Sequence, residues 1–464
     1  MDGLGPWDLG AGTYLSDGKA GMGSYKNPTT RLIAFFGRVN YSFDDRYLLT
    51  LNLRYEGSSK FYSNRWGLFP GISAGWRISS EKFMRNVRAV DDLKLRVSYG
   101  TTGNQGFNTN TAYRMYSKDS WTYYNGQWMT VYGLMHNQNR DMKWEIKKEF
   151  DVGLDFSLFN RRLSGRMDYF SRKIEDAIYS GIPVASPPAV YATSTVNIGD
   201  ITNKGFEFEL NGRVVETKDW TFDTSLVGSF VGKSRLEGMA KDTHMEFQSM
   251  PHGGGAAVRI FGGQEIGRYF LYRFAGVREE DGTPMIYSKD NKVIPYASGT
   301  DEDRVQTGNG LPKAVLSWNN TVRYRNWDLN LFFRSWLGQD VYNVTDMIQG
   351  VNCKITEGQN LLRTAYRRNK AISNTDRLML LDYWLEKGDF LKLDAVMLGY
   401  TLPRNKIKYV EKLRCYFTVR NVCTLTGYSG LDPEVNVNGL APGFEGMSQY
   451  PRTRSFILGI EIGF

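Results

Sequence analysis

Cysteine and histidine are scarce, with three of each in 464 residues. Cys415 and Cys423 fall in one alternating stretch, which as a strand separates them by roughly 26 Å. A disulfide needs Cα atoms within about 7 Å, so that pair is excluded. His136, His244 and His252 show no metal-ligand spacing with cysteine or with each other. Long apolar runs are also missing. The longest uncharged stretch, 177–199, contains Pro183, Pro187 and Pro188 and is rich in serine and threonine. It reads as a loop, because a spanning helix needs about 20 mostly apolar residues. The N-terminal MDGLGPWDLGAGTYLSDGKAG has neither a basic n-region nor an apolar h-region, so it is not a secretory signal. Charge is not concentrated either: the net charge is +9, but lysines and arginines are dispersed singly, which argues against a nucleic-acid partner.

These absences exclude helical membrane proteins and disulfide scaffolds, but not a membrane barrel. A mean hydropathy of −0.43 suits a barrel as well as a soluble chain, since only alternate strand residues need be apolar. Aromatic residues make up 14% of the chain, with 28 Tyr and 11 Trp. That abundance fits interfacial girdles and equally fits glycan-binding surfaces.

Period-two alternation is the dominant pattern. In GRVNYSFDDRYLLTLNLRYEGS (37–58), Val39, Tyr41 and Phe43 alternate with Arg38, Asn40 and Ser42. After Asp44-Asp45-Arg46, Tyr47, Leu49, Leu51, Leu53 and Tyr55 share one face, with Thr50, Asn52 and Arg54 on the other and Leu48 as the exception. This is a hairpin with two unlike faces. The same reading predicts about thirteen strands: 34–43, 47–57, 67–78, 91–101, 149–158, 162–172, 201–211, 219–231, 314–325, 327–336, 390–400, 413–423 and 454–464. Connections alternate between short (44–46, 79–90, 159–161, 212–218, 326, 401–412) and mostly long (58–66, 102–148, 173–200, 232–313, 337–389, 424–453). Such sorting puts the long loops at one end of a sheet, as in outer-membrane barrels with short periplasmic turns and long extracellular loops. The largest loop has room for a further hairpin around 269–277. The C-terminal RSFILGIEIGF places Phe456, Leu458, Ile460, Ile462 and Phe464 on one face, opposite Ser455, Gly459, Glu461 and Gly463. In a barrel these five apolar residues face lipid and Glu461 faces the lumen.

Three motifs suggest chemistry and fail on context. Gly71-Ile72-Ser73-Ala74-Gly75 matches G-x-S-x-G and His252-Gly253-Gly254-Gly255 resembles an oxyanion segment. A nucleophile elbow must join a strand to a helix, whereas here Leu68, Pro70, Ile72, Ala74, Trp76 and Ile78 continue one strand face, and the chain order is wrong. Gly232-Lys233-Ser234 resembles the end of a phosphate-binding loop, but the earlier glycine is misplaced and no helix pattern follows. The acidic segments 279–281 and 301–303 do not match a calcium-binding loop and read as solvated loop faces. No catalytic, cofactor or metal residue is assigned.

The strands GRVNYSFDDRYLLTLNLRYEGSSKF (37–61), WGLFPGISAGWRISSE (66–81), DLKLRVSYGTTGNQG (92–106), NIGDITNKGFEFEL (197–210), YWLEKGDFLKLDAVMLGYTLP (383–403) and YPRTRSFILGIEIGF (450–464) resemble the C-terminal barrel portion of SusC/RagA-family TonB-linked outer-membrane transporters. The resemblance implies a 22-stranded outer-membrane barrel around a plug and a SusD-like surface lipoprotein as partner. It also implies TonB-driven import of glycans or peptides, with a terminal strand read by the barrel-assembly machinery. On that reading, 1–33 is the remnant of an extracellular loop and 34–464 is an all-β, C-terminal barrel portion whose plug lies outside this chain. Thirteen strands leave open edges, so the chain reads as an incomplete part of a transporter. Trp121, Tyr123, Tyr124 and Trp128 fit either loop packing or stacking on sugar rings. The rival reading is a secreted all-β glycan-binding protein.

Overall fold

The computed structural model describes residues 30–464 except 110, 185–188, 240–243, 251–254, 352–357, 359, 373–379, 404–408, 438 and 447–449. Its dominant feature is one antiparallel sheet of thirteen strands in strict chain order. They are β1 (Leu32–Phe43), β2 (Tyr47–Ser58), β3 (Trp66–Arg77), β4 (Val90–Asn104), β5 (Glu145–Leu158), β6 (Leu163–Glu175) and β7 (Asp200–Glu216). There follow β8 (Trp220–Val231), β9 (Ala314–Tyr324), β10 (Trp327–Leu337), β11 (Phe390–Thr401), β12 (Lys412–Thr426) and β13 (Ser455–Gly463). Every strand expected from alternation is present. A short strand, Arg235–Glu237, adds to β7 outside this order. Among the described residues β1 pairs only with β2, and β13 only with β12, so the sheet is an open wall with two free edges.

The short connections are tight because the chain adopts left-handed backbone there. Asp44 and Asp45 take φ of 52° and 51°, and Arg46 N–H donates to the Phe43 carbonyl at 3.0 Å, which defines a type I′ turn. Phe159, Asn160 and Arg161, and later Arg325, are left-handed in the corresponding turns. This end of the wall carries an outward aromatic row. Phe43, Tyr47 and Trp76 are successive register partners, as are Trp220, Tyr324, Trp327 and Tyr400. Phe35, Tyr55 and Trp66 stack at the opposite rim, with centroids 6.4 and 4.8 Å apart. Phe35 and Phe43 lie eight positions apart on β1, about 26 Å of strand before tilt, close to the apolar band of a membrane barrel. Between the rows the outward phase is apolar and exposed: Val39, Leu51, Ile72, Val97 and Tyr99 on β1–β4, and Phe417, Phe456, Leu458 and Ile460 on β12 and β13. Among the described residues no helix is long and apolar enough to cross a membrane; the crossing elements are strands.

The larger buried core sits in the long loops. Tyr179, Leu236, Ile260, Tyr269, Leu271, Tyr342, Met347, Trp384 and Phe444 form one cluster drawn from four connections. Tyr269 ties it together, its hydroxyl donating to the carbonyls of Asp340 and Gly443 at 2.9 Å each. A second cluster joins Phe61, Phe69, Phe107, Met142 and Trp144. The strand Tyr269–Val277 exists, but it belongs to a loop sheet with Ala256–Phe261, Pro284–Tyr287 and Arg304–Thr307 and not to the wall.

Candidate functional site

The inward phase of the wall is charged and polar, and glycines shape it. Arg96 on β4 reaches Asp155 on β5 at 2.8 and 2.9 Å and Asp168 on β6 at 2.7 Å. Gly153 lies between Arg96 and Asp168 in register, and a Cβ there would collide with both side chains. The missing side chain is what lets the ion pair span two strands. The same device recurs where Arg414 on β12 reaches Asp328 on β10 at 3.1 and 2.6 Å over Gly399 of β11. Arg172–Glu149 and Arg166–Glu209 pairs, both 3.1 Å, continue the first cluster. Together with Asp151 and Glu207 these groups line a recess of about 700 Å³.

A charge hub anchors the last loop to the rim. Lys392 on β11, with its side chain 1% exposed, sits 2.9 Å from Glu434 and 3.5 Å from Asp432. Arg334 binds Glu434 at 2.9 Å and Asp394 at 3.1 Å, and Arg452 binds both Asp432 and Glu434. Asp394 lies in a register shift of β11, which turns it toward Arg334. Burial opposes ionisation of Glu434, but Arg334 and Lys392 beside it hold its carboxyl below the usual carboxylate range. A carboxyl depressed in the folded state stabilises above its unfolded pKa of about 4.3, and that contribution is lost as pH falls through the lower folded value. Lys392→Met is expected to cost about 3 kcal/mol at pH 7, the low end for breaking a buried pair, because Arg334 and Arg452 remain. Unfolding of the complete protein at pH 7 and at pH 3 to 4 checks this. The wild-type advantage should narrow at the acid end, and equal stability of the two proteins at pH 7 would contradict the hub's role.

The four loop aromatics lie on a hairpin, Tyr116–Tyr124 with Gln127–Leu134. Tyr123 opposes Trp128, centroids 5.3 Å apart, and alternation places Trp121 and Tyr132 on the same face. Tyr124 points to the other face. Tyr123 and Trp128 are 61% and 68% exposed, so this face is not filled by loop packing. Phe456, Leu458, Ile460 and Ile462 share the outward face of β13, and Leu458 is 77% exposed. Phe464 follows the strand and is likewise exposed.

The motif segments are structural. Ser73 sits mid-strand between Thr50 and Ser98 in register, and the strand runs on to Arg77 before two single 3-10 turns, so no strand-to-helix elbow forms at it. Gly232-Lys233-Ser234 leads into the strand Arg235–Glu237, not a helix. Residues 252–254 lie outside the described residues, as does Cys353; Cys415 and Cys423 are free and exposed on β12. The aspartates of the acidic loops are engaged: Asp281 with Arg278 and Thr283, Asp301 with Arg259 and Arg304, and Asp303 in a capping box with Thr300. Among the described residues no group of three His, Cys, Asp or Glu side chains is placed to hold a metal. The luminal ion pairs and the Lys392 hub were not singled out from sequence. Their signal was present as charges recurring at the inward phase of successive strands, as in DVGLDF (151–156).

An open-edged antiparallel wall with aromatic rows, an apolar outer band, a charged inner face and long loops gathered at one end has the make-up of the wall of an outer-membrane β-barrel. Residues 3–422 match the family model described as TonB dependent receptor-like, beta-barrel, and the chain belongs to that family. It is an outer-membrane protein. It is 29% identical over 475 residues to the TonB-dependent receptor SusC of Bacteroides thetaiotaomicron, covering 93% of this chain and 44% of that protein. It is 28% identical over 484 residues to the TonB-dependent receptor P3 of Formosa agariphila, covering 95% of this chain and 46% of that protein. Among solved structures, the RagAB peptide transporter superposes with a TM-score of 0.78 at 21% identity, covering 98% of this chain and 50% of that one. The chain thus spans about half the length of the curated relatives it matches. These relatives are receptors and transporters, not enzymes.

Proposed function

We propose that the protein acts in TonB-dependent nutrient import of the SusC type, taking up oligosaccharides or peptides delivered by a SusD-like surface lipoprotein. The observation that carries this is the wall itself. Its outward phase is apolar between two aromatic rows, and its inward phase carries ion pairs that line a recess of about 700 Å³. A polar ligand crossing the membrane requires both faces at once. The long loops support the reading because four of them share one hydrophobic core, which makes a consolidated surface on the outside where a lipoprotein and its cargo would meet. The rival secreted glycan-binding protein is disfavoured by the exposed outer band, which would aggregate in water. The test is uptake by cells expressing the complete protein with its neighbouring lipoprotein, offered labelled oligosaccharides and labelled peptides. Uptake of one class should require both TonB and the lipoprotein. Uptake indifferent to TonB, or none of either class, would refute the proposal.

A further inference from the structure

We propose that the cavity between the connections 105–144 and 176–199 is a surface subsite for an uncharged, polyhydroxylated chain, separate from the lumen. The cavity measures about 470 Å³ and is lined by Asn108, Thr111, His136, Thr193 and Ser194 with Met135 beside them. Among the described residues no Asp, Glu, Lys or Arg contributes to its lining, whereas the luminal recess is lined largely by them. A charged ligand would lose hydration here and find no counter-charge. Sugar hydroxyls would find amide and hydroxyl groups that both donate and accept, in a volume within the range of ligand sites.

The cavity is preorganised by the seam between the two loops. The Asn137 amide donates to the carbonyls of Tyr191 and Thr193 at 2.6 and 2.9 Å and accepts from the N–H groups of Val190 and Tyr191 at 3.0 and 3.1 Å. Asn139 donates to the Thr195 carbonyl at 2.9 Å, and Asn197 bridges both N–H and C=O of Lys143. Fixing both loops before binding removes an ordering cost from the bound state. A second feature extends the site. Met115 and Met135 close the base of the aromatic hairpin, with Met135 N–H donating to the Met115 carbonyl at 3.0 Å. Tyr132 and Trp128, both exposed, stand four and eight residues from the lining residue His136, in one alternation phase with it and roughly 13 and 26 Å along the hairpin. Rigid, amphipathic rings at that spacing suit a chain of several sugar rings running out from the cavity.

This inference rests on the import reading only for the source of its ligand, and the two fail separately. The experiment is calorimetry on the purified complete protein with neutral six-residue gluco- and manno-oligosaccharides, an oligogalacturonate of equal length and a hexapeptide mixture. Neutral chains should bind and the other two should not. Thr111→Val with Ser194→Ala should weaken binding at least tenfold. Trp128→Ala with Tyr132→Ala should weaken the six-residue chains and leave a disaccharide nearly unaffected. Unchanged heat-dependent gel mobility reports that each variant is folded. Absence of neutral-chain binding, preference for the acidic chain or the peptides, or indifference to Thr111→Val with Ser194→Ala would overturn the subsite. Neutral-chain binding that persists in a protein showing no TonB-dependent uptake would instead count against import alone.

Discussion

Lysine in place of Leu51 is expected to destabilise the barrel wall by about 2–4 kcal/mol, while lysine one residue later, in place of Asn52, costs less than about 1 kcal/mol. Leu51 lies in the outward row Val39–Leu51–Ile72–Tyr99. It is four residues from Tyr47 in one aromatic row and four from Tyr55 in the other, so it sits near mid-depth in the bilayer, where a lipid-facing charge costs most. Asn52 belongs to the inward phase, where it accepts a 2.8 Å bond from Arg38. Its replacement brings a second cation near Arg38 in a wet, screened setting, which is a small penalty. Equilibrium unfolding of the complete protein from bilayers measures both variants. Equal costs at the two positions would mean that the hairpin does not separate lipid from lumen.

The wall was legible because a strand between lipid and lumen must alternate, and thirteen segments do. The ends of strands were less legible where the bilayer stops imposing that rule. β5 begins at Glu145 and not at 149, and β6 runs to Glu175 and not to 172. Lys147, Lys148, Arg172 and Lys173 place charges on both faces there, since both faces are wet. β4 likewise extends to Asn104, past the point where Pro70 lacks an N–H to offer it and β3–β4 pairing stops at Gly71 and Gly100. The loop core left one local trace, the strand at 269–277, and its partners left none. Tyr269 meets Asp340 and Gly443, residues far apart in the chain whose apolar neighbours show no period. The aromatic hairpin was half legible: its residue types were evident, but only the register shows that Tyr124 parts company with Tyr123 and Trp128. The acidic loops read as solvated faces, and only the structure shows Asp281 and Asp301 paired with arginine and Asp303 capping a turn, because a carboxylate's partner is set by contacts that a sequence does not display.

Closure of the barrel should require strands from outside residues 1–464. β1 is exposed along its whole length and β13 nearly so, and each lacks a second partner among the described residues. Unpaired backbone groups in hydrocarbon cost several kcal/mol each, and in water two free edges invite strand addition. Expressed alone behind an added signal peptide, the chain is expected to aggregate or be degraded. Co-expression with an N-terminal portion supplying a plug and roughly nine strands, the number that completes a 22-stranded wall, should give a compact product whose gel mobility changes on boiling. The apolar face of β13 must then meet lipid while its free edge pairs with the first incoming strand. Phe456→Ser with Phe464→Ser is accordingly expected to cut the yield of that product in the outer membrane while synthesis continues. A heat-modifiable monomer formed by residues 1–464 alone would refute the requirement for added strands. Full insertion of the doubly substituted chain would reduce the terminal aromatics to an ordinary strand end.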